Sequence, residues 1–380
     1  MDENVYIKLT PDSEISGNYL INKRNNVKLK ITGTEIDKIF NDIKEFKFTL
    51  NELENKYGTD NIKLLVDNNF IYPSKFTKKF FKNLFEHSLT TFFSLPATEY
   101  NKYIYKSNDV IGLFGISSFS SSMGNAIEVN SVNALREASS KLLNFRINRN
   151  SKIEGVVGDN YNKLNSKTVF DFGNIKYSIN QQDMIDILKS LGSLILNGSR
   201  IKPIFIGGDH AVTFYLLQER LKKNENVQII QFDAHKDTGY TRFSLTEHGS
   251  FIRDIIKSDY IKRVIQIGIR GPRDYKEYIG ISGKVYEANI NNINDLLLPD
   301  VPIYISVDLD VFDPSIIPAV EYPISGGLKI SDFQKLLKQI KIKKSFIGAD
   351  IVEYNKKYDF QNLLGATSAS QILLILLENL

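Results

Sequence analysis

From about residue 107 onward the chain alternates apolar runs of strand length with amphipathic stretches of helix length. This alternation restricts the fold more than any other feature. The runs are Val110–Gly115, Thr168–Phe172, Pro203–Gly207, Val227–Phe232, Arg263–Gly268, Val285–Glu287, Ile303–Leu309 and Ser345–Ile351. Stretches such as Ser131–Phe145, Met184–Asn197 and Ser331–Ile340 lie between them. Strands buried on both faces lose the polar–apolar alternation of a half-exposed sheet and read as continuous hydrophobic runs. The pattern therefore predicts a three-layer α/β/α domain over residues 107–380, with a mainly parallel sheet covered on both faces. In such open sheets, sites form beyond the carboxyl ends of the strands.

Four runs end in clusters that suit this rule. Pro203-Ile204-Phe205-Ile206 leads into Gly207-Gly208-Asp209-His210, and Val227–Phe232 leads into Asp233-Ala234-His235-Lys236-Asp237. Ile303-Tyr304-Ile305 leads into Ser306-Val307-Asp308-Leu309-Asp310-Val311-Phe312-Asp313-Pro314, and Ser345-Phe346-Ile347-Gly348-Ala349 into Asp350-Ile351-Val352-Glu353. Three of the chain's four histidines, His210, His235 and His248, accompany these clusters. One Asp-x-His-x-Asp could be an incidental solvated turn, but four clusters at strand ends can converge on a pair of hard cations. If the backbone stays extended past Phe232, Asp233, His235 and Asp237 project from one face. The chain has no cysteine, so any metal is held by His, Asp and Glu, which disfavours structural zinc and suits harder divalent ions.

Gly-Gly-Asp-His, Asp-Ala-His-x-Asp and Ser-x-Asp-x-Asp-x-x-Asp-Pro, in this order, resemble the ureohydrolase family of arginase and agmatinase. Leu135-Arg136-Glu137-Ala138-Ser139, Gly268-Ile269-Arg270 and the spacing from Asp313-Pro314 through Pro318 to Gly326-Gly327-Leu328 extend the resemblance. It implies two manganese ions per chain. One would take His210, Asp233, Asp237 and Asp308; the other would take His235 and Asp310, with Asp233 and Asp308 as bridges. Two such cations share a water and lower its pKa, giving a hydroxide that attacks the guanidinium carbon. His248, Glu353 and Asp310 are the residues the resemblance assigns to catalysis. Glu353 would pair with the guanidinium, and His248 would shuttle protons, including to the leaving amine. Asp209 and Asp313 are expected to cap turns and helices, Asp350 to stand behind the ligands, and His87 to have no chemical role.

The chain departs from the family in the loop from Thr238 to Glu247, where arginases carry Asn and Ser residues that bind the free amino acid's carboxylate. No Asn occurs there, and Gly239 falls where one is expected. Lys236 sits inside the metal motif and is expected to point away, because a cation facing the ions would cost several kcal/mol. After Pro318, where the family has Gly-Thr-Gly-Thr, this chain has Ala319-Val320-Glu321-Tyr322, which should reshape the pocket rim.

Residues 1–73 read as a separate small α+β domain of winged-helix type. Val5–Leu9 and Val27–Ile31 are strand-like, and a helix is expected from Glu35, capped by Thr34, with Ile36, Ile39, Phe40 and Ile43 on one face. Thr49-Leu50-Asn51-Glu52 is a capping box opening a helix that stops near Gly58. A third helix carries Ile62, Leu65 and Val66, and Phe70-Ile71-Tyr72 before Pro73 suggests a closing strand. Ten Lys/Arg against twelve Asp/Glu make this segment net negative, which argues against nucleic acid. The order of elements resembles the PqqD-like domains that hold leader peptides by adding them as an edge strand. Residues 74–106, rich in Lys and Phe, form a connector that could be an amphipathic packing helix.

The formal charge of +4 and 24% charged residues are ordinary. Without a signal peptide or a long apolar run, the chain is expected to be cytoplasmic and free of any membrane. The resemblance implies a homo-oligomer, trimer or hexamer. The favoured substrate is an arginine side chain within a leader-bearing precursor peptide, converted to ornithine with release of urea. The alternatives are a small-molecule ureohydrolase and a metal-free scaffold or regulator.

Overall fold

The computed structural model describes residues 5–9, 13–16, 19–22, 27–30, 38–39, 42, 48–68, 70–77, 84–86, 88–98, 110–117, 119–121, 127–143, 169–176, 181–196, 201–221, 225–240, 245–271, 283–340, 346–359 and 362–380. The chain divides into two compact units, Met1–Leu84 and Phe85–Leu380.

The smaller unit contains β1 (Val5–Leu9), β2 (Ser13–Ser16), β3 (Tyr19–Asn22), β4 (Val27–Lys30), α1 (Leu50–Tyr57), α2 (Thr59–Asp67) and β5 (Ile71–Thr77). β1 pairs antiparallel with β5, and β2, β3 and β4 form a three-stranded antiparallel sheet. The capping box forms: Glu52 N donates to Thr49 Oγ1 and Thr49 N donates to Glu52 Oε2. Leu20, Leu50, Leu53, Ile62, Leu65 and Phe70 make a core of its own. Two findings differ from the sequence reading. β2 and β3 were not expected, being four residues each and without clear alternation. β5 runs through Pro73, which pairs with Ile7; β5 has β1 as its only partner among the described residues, and proline is tolerated on such an edge. Lys38, Ile39 and Asp42 are helical, with Ile39 buried; Thr34, Glu35, Ile36, Phe40 and Ile43 lie outside the described residues.

The larger unit begins with β6 (Phe85–Glu86), β7 (Val110–Ile116), α3 (Ser131–Leu143), β8 (Val169–Ile175) and α4 (Gln181–Leu196). It continues with β9 (Ile201–Ile206), α5 (Ala211–Leu221), β10 (Val227–Phe232), α6 (Phe251–Ile255), β11 (Ile261–Ile267) and β12 (Val285–Ala288). It closes with α7 (Ile293–Leu296), β13 (Ile303–Asp308), α8 (Ile330–Ile340), β14 (Phe346–Val352) and α9 (Leu364–Asn379). The sheet order is β12-β11-β10-β13-β14-β9-β7-β8-β6. Every neighbouring pair is parallel except β6 with β8. Side chains of α3, α8 and α9 pack on one face against Ile230, Phe232, Ile305 and Val307. Those of α4, α5 and α6 cover Ile229 and Val264 on the other. The three-layer α/β/α architecture follows directly from the apolar runs.

Part of the stretch read as a connector belongs to this sheet. Phe85–Glu86 pairs with β8, and Ala97 bridges to Asp171. Phe92 and Phe93 are adjacent and both buried in a short 3-10 turn, an arrangement one helix face could not give. Phe92 lies under the guanidinium of Arg136, which is itself buried and pairs with Asp171. Lys78, Lys79, Phe80, Phe81, Lys82 and His87 lie outside the described residues. Among the described residues no helix is long and apolar enough to cross a membrane.

Candidate metal centre and active site

β9, β14, β13 and β10 lie side by side, and their carboxyl ends deliver His210, Glu353, Asp308 with Asp310, and Asp233 with His235 and Asp237. All of the expected ligands are thereby brought to one edge of the sheet. The mechanism of convergence differs from the expected one. β10 ends at Phe232 and residues 233–240 have no regular structure, with Asp237 in the left-handed region at φ 53. The loop therefore turns back rather than continuing as a strand, anchored where Ile252 N donates to the Asp237 carbonyl and Gly239 N to that of Gly249. Glu353 also has a left-handed backbone, φ 68. Such conformations cost about 1–3 kcal/mol each in a non-glycine residue and gather at functional sites.

The imidazole of His210 is the clearest guide to what the site holds. Its Nε2 contacts Ser306 Oγ at 2.8 Å, and Ser306 Oγ donates to Asp350 Oδ1 at 2.6 Å. The serine proton is committed to Asp350, so its oxygen accepts from Nε2–H, and Nδ1 is the nitrogen that faces the carboxylates. That Nδ1 lies 2.9 Å from Asp233 Oδ2, 3.0 Å from Asp237 Oδ2 and 3.2 Å from Asp308 Oδ2, yet it has no hydrogen-bond partner. Burial opposes a charged imidazole, yet the three carboxylates raise His210 well above its usual value; the position between them is one for positive charge, a proton in the metal-free protein or a divalent ion, which these residues fit. Asp233, His235 and Asp310 form a second group of ligand atoms that shares Asp233 with the first. Here His235 Nδ1 is 2.7 Å from Asp310 Oδ2, and Ala234 N donates to Asp310 Oδ1.

The electrostatics agree with this fit. Burial, then Asp310 and Asp233, push the Asp308 carboxyl well above the carboxylate range. Burial and Asp233 push Asp237 up to about 6. Burial opposes the charged form of His235, but its bond to Asp310 and the surrounding carboxylates carry it up to about 9. Crowded carboxyls that take up protons when no cation is present are poised to release them to one. Lys236 leaves this cluster: its ammonium pairs with Glu287 Oε1 at 2.5 Å.

Above the ligands opens a cavity of about 230 Å³, lined in part by Thr238, His248, Val320, Glu321, Tyr322 and Glu353. His210 N donates to Glu353 Oε1 at 2.8 Å, and His248 Nδ1 stands 3.5 Å from the same oxygen. Burial opposes protonation of His248, yet Glu353 and Asp209 carry it up to about 10. Tyr322, half exposed, sets its ring edgewise to both His248 and His235. Asp209 accepts from Ser121 and from Ala211 N at the start of α5, while Ser121 Oγ accepts from His248 N. Asp313 accepts from Ser315, Gly326 and Gly327, closing the loop that carries Val320–Tyr322. Asp350 accepts from Ser306, Thr213 and Tyr304, all buried. Thr213 had no signal in the sequence; Ser306 did, as the first residue of its motif.

The loop after Asp237 shows why Gly239 replaces a side chain. A Cβ at this position would stand 2.8 Å from the Gly249 carbonyl oxygen, and that oxygen is fixed by the Gly239 N–H. Arg253 holds the same turn from beneath, donating to the carbonyls of Thr238 and Gly239, with Tyr240 stacked on its guanidinium. Gly239→Asn is therefore expected to destabilise the protein by about 1–3 kcal/mol, the range for overpacking, without conferring turnover of free arginine. Thermal melts and a urea assay on the variant check both parts.

Residues 130–377 match the model of the arginase family. The chain is 27% identical over 206 residues to a mitochondrial arginase of Medicago truncatula, covering 51% of this chain and 60% of that one. It is 30% identical over 216 residues to the agmatinase of Proteus mirabilis, covering 54% of this chain and 67% of that one. It superposes on the proclavaminate amidino hydrolase of Streptomyces clavuligerus with a TM-score of 0.61 at 24% identity, over 77% of this chain and 97% of that one. With four strand ends converging as described, the chain belongs to the arginase family, the hydrolases that act on guanidino groups.

Proposed function

We propose that the chain is a dimanganese ureohydrolase that converts an arginine side chain within a peptide to ornithine, releasing urea. His210, Asp233, Asp237 and Asp308 would hold one ion, and His235 and Asp310 the other, with Asp233 and Asp308 shared. Bound manganese supplies positive charge and a water of lowered pKa at the cavity floor. Glu353 takes the guanidinium, its position fixed by the His210 amide. Asp310 would be held toward its ion by the Ala234 N–H, which donates to its other oxygen, Oδ1. His248, beside Glu353, gives the leaving amine its proton as the carbon–nitrogen bond breaks.

The observation carrying the peptide reading is the Gly239–Gly249 contact. It leaves no room for a side chain at Gly239, the position where the resemblance to arginases expects an Asn that binds a free amino acid's carboxylate. The cavity of about 230 Å³, with Val320, Glu321 and Tyr322 in its lining, has room for the guanidino end of a peptide's arginine and equally for a small guanidino molecule. Glu321 at the rim further opposes a free carboxylate. Residues 1–73, with their own core and with β4 at an edge of its sheet among the described residues, supply a unit able to take a leader peptide as an added strand. Assembly into a trimer or hexamer is part of the same reading.

A second reading, a small-molecule ureohydrolase, is favoured by the 30% identity to an agmatinase and by Glu321, which suits an amine at the far end of a guanidino substrate. A urea-release screen of the manganese-loaded chain separates the two. Leader-bearing arginine peptides are expected to be turned over faster than leaderless ones, and free arginine least. Rapid turnover of agmatine with none of the peptides would replace the first reading by the second.

A further inference from the structure

The sheet register sets a row of polar side chains just beneath the ligand-bearing strand ends. Gln231 of β10 is level with Gln266 of β11 and Ser306 of β13. Gln266 is level with Glu287 of β12, and Ser306 with Asp350 of β14. Ser306 and Asp350 act on His210, as described above. The two glutamines have no part in that chemistry, yet both are 0% exposed. Burying two carboxamides in a sheet interior is costly unless their hydrogen bonds are made.

Their bonds form a directed chain. Gln231 Nε2 donates to Asp233 Oδ2 at 2.6 Å and lies 3.5 Å from Asp237 Oδ2. Gln231 Oε1 accepts from Gln266 Nε2 at 2.8 Å, and Gln266 Nε2 also donates to the Lys236 carbonyl at 2.8 Å. Gln266 Oε1 has no partner. A buried acceptor left empty costs about 1–3 kcal/mol, so the orientation is kept in spite of that cost. It has one effect on the neighbours: with its oxygen taken by Gln266, Gln231 must aim its amide hydrogens at Asp233 and Asp237. The opposite rotamer would set a carbonyl oxygen against two carboxylates. The Lys236 ammonium, tied to Glu287, secures the segment whose carbonyl Gln266 grips.

We propose that Gln266 is a positioning residue for the metal centre, acting through Gln231 to fix the carboxylates of Asp233 and Asp237 at the spacing two divalent ions require. The proposal rests on the reading of this site as a two-metal centre. Residues that orient metal ligands from behind change metal affinity about 10–100-fold when replaced.

The test is calorimetric titration of manganese into the EDTA-treated full chain, with thermal melts of the metal-free protein. Gln266→Met keeps the length and removes both donors. It is expected to raise the manganese dissociation constant about tenfold or more, and to lower the metal-free melting temperature, because Gln231 Oε1 and the Lys236 carbonyl lose their donor while only one empty acceptor is removed. Gln266→Glu places acceptors against Gln231 Oε1 and the Lys236 carbonyl, and should weaken manganese further. If the glutamate variant does not fold, the methionine variant decides alone. Wild-type affinity in Gln266→Met overturns the proposal, as does an equal loss of affinity in a variant brought to the same metal-free melting temperature by a core substitution such as Leu376→Ala in α9, which marks a merely structural residue. Failure of the wild-type chain to bind manganese overturns the two-metal reading instead.

Discussion

Metal-free protein is expected to lose thermal stability as pH rises from about 5 to about 9, and manganese is expected to abolish that fall. The sign follows from the direction of the shifts. Asp237 titrates near 6 in the folded, metal-free protein, against about 3.9 for an exposed aspartate. Between those values the native state binds more protons than the unfolded one, so stability drops as pH climbs; for Asp237 the span corresponds to about 3 kcal/mol. His235 and His248 are raised to about 9 and about 10. Their contribution is complete below the ordinary histidine pKa of about 6.5 and is lost as pH rises toward those values. Asp313, lowered to about 2 by Ser315 and the Gly326 and Gly327 amides, contributes in the opposite sense, with stability lost only as pH falls through its folded value. Manganese converts the crowded carboxylates from a liability into ligands. At a free concentration 100 times its dissociation constant it adds about 2.7 kcal/mol. Melts at several pH values, with EDTA and with manganese, measure both slopes. A metal-free melting temperature that climbs steadily from pH 5 to 9, or one unmoved by manganese, would count against the two-metal centre and in favour of a scaffold.

The second large effect is expected from Glu353→Gln. The amide keeps an oxygen for the His210 N–H, so folding and manganese affinity should stay close to wild type. What is lost is the negative charge opposite the guanidinium. Removing one member of a buried, hydrogen-bonded charge pair costs about 2–5 kcal/mol, which corresponds to roughly 30-fold to several-thousand-fold in kcat/KM. Steady-state urea release by a variant with wild-type manganese stoichiometry is the measurement. Activity within a factor of a few of wild type would remove Glu353 from the reaction.

The strands and the polar clusters at their ends were readable because burial on both faces writes a continuous apolar run, as in Val227–Phe232. Short strands were not readable: β6 has two residues, and β2 and β3 have four each, too few for a pattern. The candidate ligands were recognisable, but the turn that gathers them was not. Nothing in Asp233-Ala234-His235-Lys236-Asp237 announces a left-handed backbone at its last residue, so an extended continuation was the simplest expectation. Gln231 and Gln266 are 35 positions apart, and their partnership exists only once β10 and β11 are laid in register. The tight approach of Gly239 to Gly249 is equally invisible without the fold, although the missing Asn was visible in the loop.

Chain order and sheet order are at odds in several places, and one of them bears on how the candidate site is assembled. β14 follows every other described strand in sequence, yet it lies between β13 and β9 in the middle of the sheet. Until it is inserted, β12-β11-β10-β13 and β9-β7-β8-β6 have no hydrogen-bonded strand in common. Pairings between segments so distant in sequence are slow to form, because the chain between them must be closed first. A ribosome-bound chain that has not yet released residues 346–352 can hold neither Glu353 nor the seam that sets His210 beside Asp308. The candidate site is thus completed by the last of the described strands, as a property of the closed sheet rather than of any shorter segment.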